Sequence, residues 1–502
     1  MTNGAPISNP TYMGDIRFFF REDPDIAHMR DFGIDLSTYQ GVKDNALRVY
    51  FRVKEGSMPP GEPWPQSHVE TFYNWMRNGY PRGEGAPVPA QALAAPSTVS
   101  RVRRNLKELL APDKSEELER LKYAFRTLMG REIDDPTSYF AVAGIHWLPG
   151  IPPAYFCRHH ENAYNPWHRA YLLRFEDALR TVDGCHDITL PYWDITDPDI
   201  PAILWEEPFA AYDVPVQLCP LAGPCYPPGP TERNDAPTVW ANMTDPTVNV
   251  PGNIVEALGY SHWEAFNGWT SVRTQTGIIR AHDNGHNSIG TTMQNQDVAA
   301  FDPIFWFFHC NWDRLWWKWQ QEYGATTLAT FKTHLDGPPD WLDNPVLNGL
   351  PPFSLTTAQT IDLLSLDVDY EHPATEARVQ PRTLRQGSLL AHTAFVAHTR
   401  RISVRVKDVD RLEIPGSFNV YLRVGDRVIG KQGLFQPTTP KQCATCRRNA
   451  LASFDFVVDE ADLEGGPVQA EIRLLSRAQG EVPFPLAKAG NPTINARLLL
   501  EE

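Results

Sequence analysis

Six of the fifteen histidines in this chain fall into two groups of three, and that distribution constrains the fold more than any other feature. His146, His159 and His168 lie in AGIHWLPG and CRHHENAYNPWHRAYLLRFE; His282, His286 and His309 lie in AHDNGHNSIG and FDPIFWFFHCNWDRLWWKW. His282 and His286 are spaced i, i+4, which puts both imidazoles on one helical face about one turn apart, close enough for two nitrogens to reach one cation. Taken alone, such a pair reads as exposed or hydrogen-bonded histidines; the surrounding context reverses that reading. Imidazoles without a neighbouring thiolate or carboxylate cluster suit copper, zinc, iron or nickel, and three neutral nitrogens per ion leave a coordination position open. Two such sites facing each other would hold a diatomic ligand between them.

The bulk properties permit a soluble protein of several domains. At 502 residues the chain is long enough for two or three domains, and 42% hydrophobic with 21% charged residues is the mixture of a globular protein. A formal charge of −15 argues against a nucleic-acid partner. No stretch approaches the ~20 apolar residues of a membrane helix, and the opening MTNGAPISNPTYMGDIRFFF lacks a basic and then apolar leader, which points to the cytoplasm. Seven cysteines are too few and too scattered for a disulfide framework.

Composition and periodicity divide the chain. Residues 1–80 read as a small helical unit, with Val69, Phe72, Tyr73 and Met76 at helical spacing. Its segment GSMPPGEPWPQSHVETFYNWMRNGYP looks like the end of a c-type cytochrome domain, but the C-x-x-C-H haem attachment is absent. A linker follows over 81–100, rich in Pro, Ala and Gly. Residues 101–345 read as a larger helical domain: Leu106, Leu109, Leu110, Leu118, Leu121, Phe125 and Leu128 recur at helical intervals, as do the apolar positions of 167–179 and 306–319. A Pro-rich connection over 346–400 leads to residues 401–502, where the period changes to two in ISVRVKDV, SFNVYLRVGDRVIG, FDFVVD and VQAEIRLL, the pattern of a β-sandwich.

The stretches from His159 to Glu176 and from Asp302 to Asp313 closely resemble the two copper signatures of the type 3 copper proteins, namely tyrosinases, catechol oxidases and haemocyanins. Tyr164 stands where the family usually has Phe, and Phe308 where many members have a non-ligating histidine. The resemblance implies an antiparallel four-helix bundle holding two copper ions, one on His146, His159 and His168 and the other on His282, His286 and His309, with O2 as co-substrate. His160 adjoins His159 and competes with it as ligand; the nine-residue step to His168 favours His159. Cys157 forms a C-x-H arrangement with His159 that resembles fungal tyrosinases and implies a thioether to the imidazole; a small buried thiol is the plain alternative. Phe305 matches the gate residue over the second copper, or else is core. Asp313 is placed to support a ligand imidazole or to form a surface ion pair with Arg314.

The implied chemistry is oxidation of small phenols. An o-diphenol needs only electron transfer, whereas a monophenol, with a pKa near 10, must first lose its proton. Many tyrosinases carry an Asn after the first ligand of the second copper and a Glu upstream; here Asp283 stands in the first place, and the upstream positions hold Ile279, Ile278 and Arg273, with Glu264 the nearest carboxylate. Asp283 is therefore a candidate base, or a helix-surface residue. The expected activity is o-diphenol oxidation, with monophenol oxidation left open, o-aminophenol oxidation as an alternative and a haemocyanin-like oxygen carrier as the rival from another class. Family members often carry a C-terminal β-domain that covers the site, so latency is expected of residues 401–502. Within them, Cys443 and Cys446 form a C-x-x-C able to hold Cu(I) during loading, or a turn disulfide; Cys219 and Cys225 bridge a loop or do nothing. Homo-oligomerisation and the natural phenol stay open at this level.

Overall fold

The computed structural model describes residues 6–21, 26, 29, 36–54, 58–59, 63–78, 80–81, 99–147, 158–219, 225–269, 274–343, 349–371, 401–477 and 480–498, in two compact units, 1–98 and 99–502. The first unit contains helices α1 (Tyr39–Asp44), α2 (Ala46–Lys54) and α3 (Gln66–Arg77). Val69, Phe72 and Trp75 give α3 a buried stripe that packs on Tyr12, Ile16 and Phe20. His68 lies flat on Phe19, ring centroids 4.2 Å apart.

The second unit joins a helical region to an antiparallel β region. Its main helices are α4 (Ser115–Met129), α5 (Tyr139–Trp147), α6 (Tyr164–Leu179), α7 (Ala236–Thr244), α8 (Val250–Leu258), α9 (Gly277–Ile289) and α10 (Ile304–Glu322). The leucines that recur at helical intervals fall on two elements: Leu118, Leu121, Phe125 and Leu128 line the buried face of α4, while Leu106, Leu109 and Leu110 sit in and beside a short 3-10 turn. Pro112 explains the break, since a proline cannot supply the N–H that a continuing helix needs. Helices α6 and α10 are buried almost all round, as expected of helices at the centre of a domain.

A buried ion network ties these two helices together. Arg103, on a short strand Arg101–Arg103 that pairs in parallel with Val368–Tyr370, donates to both carboxylate oxygens of Glu176 on α6 at 3.0 and 2.8 Å and to Asp313 on α10 at 2.9 Å. Arg169 on α6 donates to the other oxygen of Asp313 at 2.6 Å and lies 3.6 Å above the Trp316 ring. Two guanidinium groups thus meet two carboxylates with no exposure to water, the arrangement under which buried charges are tolerated. Gly285 lets α9 approach α10: a β-carbon there would come within 2.9 Å of the Phe308 ring.

The β region consists of two four-stranded sheets. With β1 (Thr274–Gln275), β2 (Arg401–Asp410), β3 (Phe418–Val424), β4 (Arg427–Leu434), β5 (Leu451–Asp459), β6 (Val468–Ser476), β7 (Gly480–Phe484) and β8 (Thr493–Leu498), the orders are β7-β6-β3-β4 and β8-β2-β5-β1. Phe418, Val420 and Leu422 point inward against Val404, Val406, Phe454 and Phe456, the alternation read in the sequence. Strand β1, immediately before α9, adds in parallel to β5, so the helical region completes a sheet of the β region. Arg103→Met strands Glu176 and Asp313 without their shared cation and should cost about 3–5 kcal/mol, read as a lower urea midpoint.

Candidate metal centre

Helices α5, α6, α9 and α10 converge on the six histidines. Among the described residues two potential metal-binding groups stand out, His146 with His159 and His168, and His282 with His286 and His309; in each, one ligand atom per residue lies within 4.8 Å of the others, and all six are buried. Local hydrogen bonds orient the rings. His168 Nδ1–H donates to the Tyr164 carbonyl at 2.9 Å, His286 Nδ1–H to the Met293 carbonyl at 2.7 Å, and His282 Nδ1–H to Asp283 Oδ1 at 2.8 Å. Holding Nδ1 in this way fixes the tautomer and leaves the Nε2 lone pair for an ion. Nε2 of His168 and of His282 is buried without a hydrogen-bond partner, and those of His286 and His309 face each other at 3.1 Å. Burial pushes all six imidazoles down, His168 to about 3, so they are neutral, which is the ligating form. The two triads adjoin: the His168 and His309 rings stack at 4.5 Å and 9°. This donor set fits a pair of copper ions with an open face on each.

His159 joins the first triad and His160 does not. His160 adopts a left-handed backbone (φ 59°) that turns its ring away, to where Nε2–H donates to Asp283 Oδ2 at 2.9 Å and Nδ1 accepts from Arg411 Nη1 at 3.0 Å. Burial and the Arg411 cation hold it at about 4. Asp283 is not on the helix surface: it is fully buried, with Oδ1 on His282 and Oδ2 accepting from His160, from Gln275 at 2.5 Å and from the Phe435 N–H at 3.0 Å. Burial raises its carboxyl, and His160 and the Phe435 amide draw it down. Asp313 takes neither role expected of it; its oxygens are held by Arg103, Arg169 and the Tyr370 hydroxyl at 2.7 Å, while Arg314 reaches Asp194. Glu264 accepts the Asp336 N–H at 2.8 Å at the surface. Phe305 is buried between the triads, its ring centroid 4.0 Å from His309 and 5.0 Å from His146. Cys157 lies outside the described residues.

One residue over the site came from no sequence signal. Phe435, just past the end of β4, reaches into the helical core and stacks on His286 at 3.9 Å and 13°, with His159 at 5.3 Å and His282 at 5.8 Å. A lone phenylalanine at a strand end is indistinguishable in sequence from sandwich core. Cys443 and Cys446 are buried against Trp147 and line a crevice with His159, His160 and Arg411; they are not disulfide-bonded, whereas Cys219 and Cys225 are.

A helical core that presents two buried histidine triads to each other defines a dinuclear metal protein. Residues 136–322 match the common central domain of tyrosinase. The chain is 27% identical over 272 residues to tyrosinase HcTyr1 of Hahella sp. (strain CCB-MM4), covering 45% of this chain and 54% of that one. Its fold is similar to a tyrosinase from Burkholderia thailandensis (TM-score 0.59, 22% identity, 79% of this chain and 100% of that chain) and to a functional unit of octopus haemocyanin (TM-score 0.53, 17% identity, 79% and 99%). Residues 136–322 thus form a central domain of the tyrosinase, or type 3 copper, kind, related to tyrosinases and haemocyanins. It spans about half the length of the curated relatives it matches. Among the described residues no helix is long and apolar enough to cross a membrane. The protein should bind two copper ions per chain, falling to about one in His168→Ala or His286→Ala, as counted by elemental analysis against protein concentration.

Proposed function

We propose that this protein oxidises o-diphenols to o-quinones with O2 and that it is latent, with Phe435 lying where the substrate ring must enter. The observation that carries the reading is the stacking of Phe435 on His286, with Phe305 on the neighbouring side of that histidine: an aromatic ring already lies flat against a histidine of the second triad. Copper on the two triads would supply the electron exchange with O2; two diphenols give four electrons and four protons, leaving two quinones and two waters. His146, His159, His168, His282, His286 and His309 are the proposed ligands. Phe305 positions the ring and excludes water.

Asp283 acts in this reading as a positioning residue. Its Oδ1 holds the His282 ring, and its Oδ2 is held in turn by His160, Gln275 and the backbone of the cover. With both oxygens engaged and Glu264 at the surface, no carboxylate named by the sequence stands ready to take a phenol proton, which supports diphenols, and o-aminophenols beside them, over monophenols. The relatives include haemocyanins, and a carrier would also keep its site covered; turnover separates the two. Copper-dependent oxygen uptake with catechol is expected, and its absence from a Phe435→Ala protein would sink the oxidase reading. That substitution should raise catechol oxidation by the untreated chain roughly tenfold or more, the factor equivalent to ~1.4 kcal/mol of blocking, while treatment with mild detergent should narrow the difference.

The cover is also fastened by Thr438, whose N–H and hydroxyl donate to Asp297. Burial lifts the Asp297 carboxyl from near 3.8 to about 6, against the pull of those hydrogen bonds. A group raised in the closed state favours closure while protonated, so its contribution is fully present below pH ~4 and is lost as pH rises through about 6. Asp297→Asn should therefore lengthen the detergent-activation lag at pH 8 relative to the parent, with the difference shrinking progressively as pH falls from about 6 towards ~4.

A further inference from the structure

On the far side of α9 from the histidines lies a polar cavity of about 210 Å³, walled by α7, α9 and strands β3, β4 and β7. Asn284 and Asn287 line it from α9, Asn242 from α7, and Asn419, Lys431 and Glu481 from the sheet. Its volume is several times the ~30 Å³ that one water occupies.

The hydrogen bonds around it leave defined groups unused. The Gly433 N–H donates to Asn284 Oδ1 at 2.6 Å, which fixes that amide and leaves Asn284 Nδ2 as a buried donor without a partner. Asn284 is only 3% exposed. Glu481 accepts from Asn419 Nδ2 at 2.7 Å, so Asn419 Oδ1 accepts from Asn287 Nδ2 at 3.2 Å, and Asn287 Oδ1 remains a buried acceptor without a partner. The orientation of each amide follows from its neighbours. An unmet buried donor and acceptor each cost stability unless something fills the need. A β-carbon at Gly433 would press on Asn287 Nδ2, so the glycine leaves that amide where Asn419 holds it.

The cation in the cavity is already matched. Lys431 Nζ lies 3.1 Å from Glu481 Oε1, and the other Glu481 oxygen accepts from the Tyr421 hydroxyl. Asp245, at the exposed rim, accepts from the Thr247 N–H at 2.8 Å and adds a negative charge there. An anionic ligand would find no unpaired cation, whereas an amide donor and an amide acceptor on successive turns of one helix face suit the hydroxyls of a neutral molecule. We propose that this cavity binds a small free polyhydroxylated molecule, a monosaccharide or sugar alcohol, and that its binding fastens the cover. The second half rests on the reading of Phe435 as that cover. Gly433 is two residues from Phe435 and is held by Asn284, which is two residues from both His282 and His286 on α9, so a ligand bridging helix and sheet would hold the covering segment down.

The test is hydrogen–deuterium exchange on the copper-loaded full chain titrated with D-glucose, read in peptides covering residues 284–290 and 430–436. Saturable protection of both is expected, with D-sorbitol acting alike, sodium gluconate having no effect, and the half-saturating concentration rising at least about tenfold in Asn284→Asp, which keeps the acceptor for Gly433 but removes the free donor. Asn287→Ala, which removes the free acceptor, gives the same comparison should Asn284→Asp fold poorly. Protection that grows without saturating, is matched by trimethylamine oxide and is the same in both variants would be solvent exclusion and would overturn the site. A response to gluconate but not to glucose would overturn the ligand class. Phe435→Ala should still bind glucose saturably, with half-saturation raised only by as much as the cover is loosened, so failure of latency leaves the site standing; glucose protection without a longer detergent-activation lag in the parent would overturn the fastening alone.

Discussion

The rest of the site depends on the buried pairing of Arg169 with Asp313. Arg169 follows His168 on α6, and Asp313 lies one turn beyond His309 on α10, so the 2.6 Å contact sets the register of two helices that each carry one ligand to opposite triads. Neither charge can leave without stranding the other in a medium where an unpaired ion is very costly. Arg103 and Glu176 extend the lock to the strand at 101–103 and keep the total charge neutral. A rigid frame of this kind suits a metal pair, because a small slip of one helix would open the 4.5 Å stacking of His168 on His309 and change the distance between the two ions.

The second coupling runs from the β region into the site through one carboxylate. Asp283 is adjacent to His282 in sequence, and its four partners come from four separate places: His282 on α9, His160 in the loop before α6, Gln275 on β1, and the Phe435 amide beyond β4. Arg411 then holds the far side of His160. The loop that carries His159 is therefore positioned partly by the β region, and movement of the cover would be felt at both triads.

What could be read in advance was local. The histidines were legible because their spacing and flanking aromatics lie within short stretches, and the strands because VRV, VYL and FDF alternate visibly; the helix α4 was legible except where Pro112 ends the leucine run. What could not be read depends on distant partners. His159 and His160 share the same neighbours in sequence, and only Asp283, 123 positions away, and Arg411, 251 away, hold one of them off the triad. Asp313 looked like a support for an imidazole because Arg103, 210 residues earlier, gives no local sign of reaching it. Phe435 was invisible for the same reason: its role comes from which surface it meets, not from its neighbours.

The geometry also indicates how such a cover would open. The β region cannot leave as a whole at low cost, since β1 belongs to the chain that enters α9 and pairs with β5 in one sheet, and its Gln275 is bonded to Asp283. The Phe435 side chain is different from the backbone that carries it. Gly433 and Leu434 pair with Asn419 and Phe418 inside the sheet, and the buried Gln436 bonds Arg411, Ile414, Gly416 and Ser417, so the chain on both sides of Phe435 is fixed. The ring itself is held over His286 by apolar burial worth about 1.5–3 kcal/mol, so displacing the ring alone uncovers His286 while both sheets and the ion-locked helices stay intact, and the same fold can be firm at the metal pair and yielding directly above it.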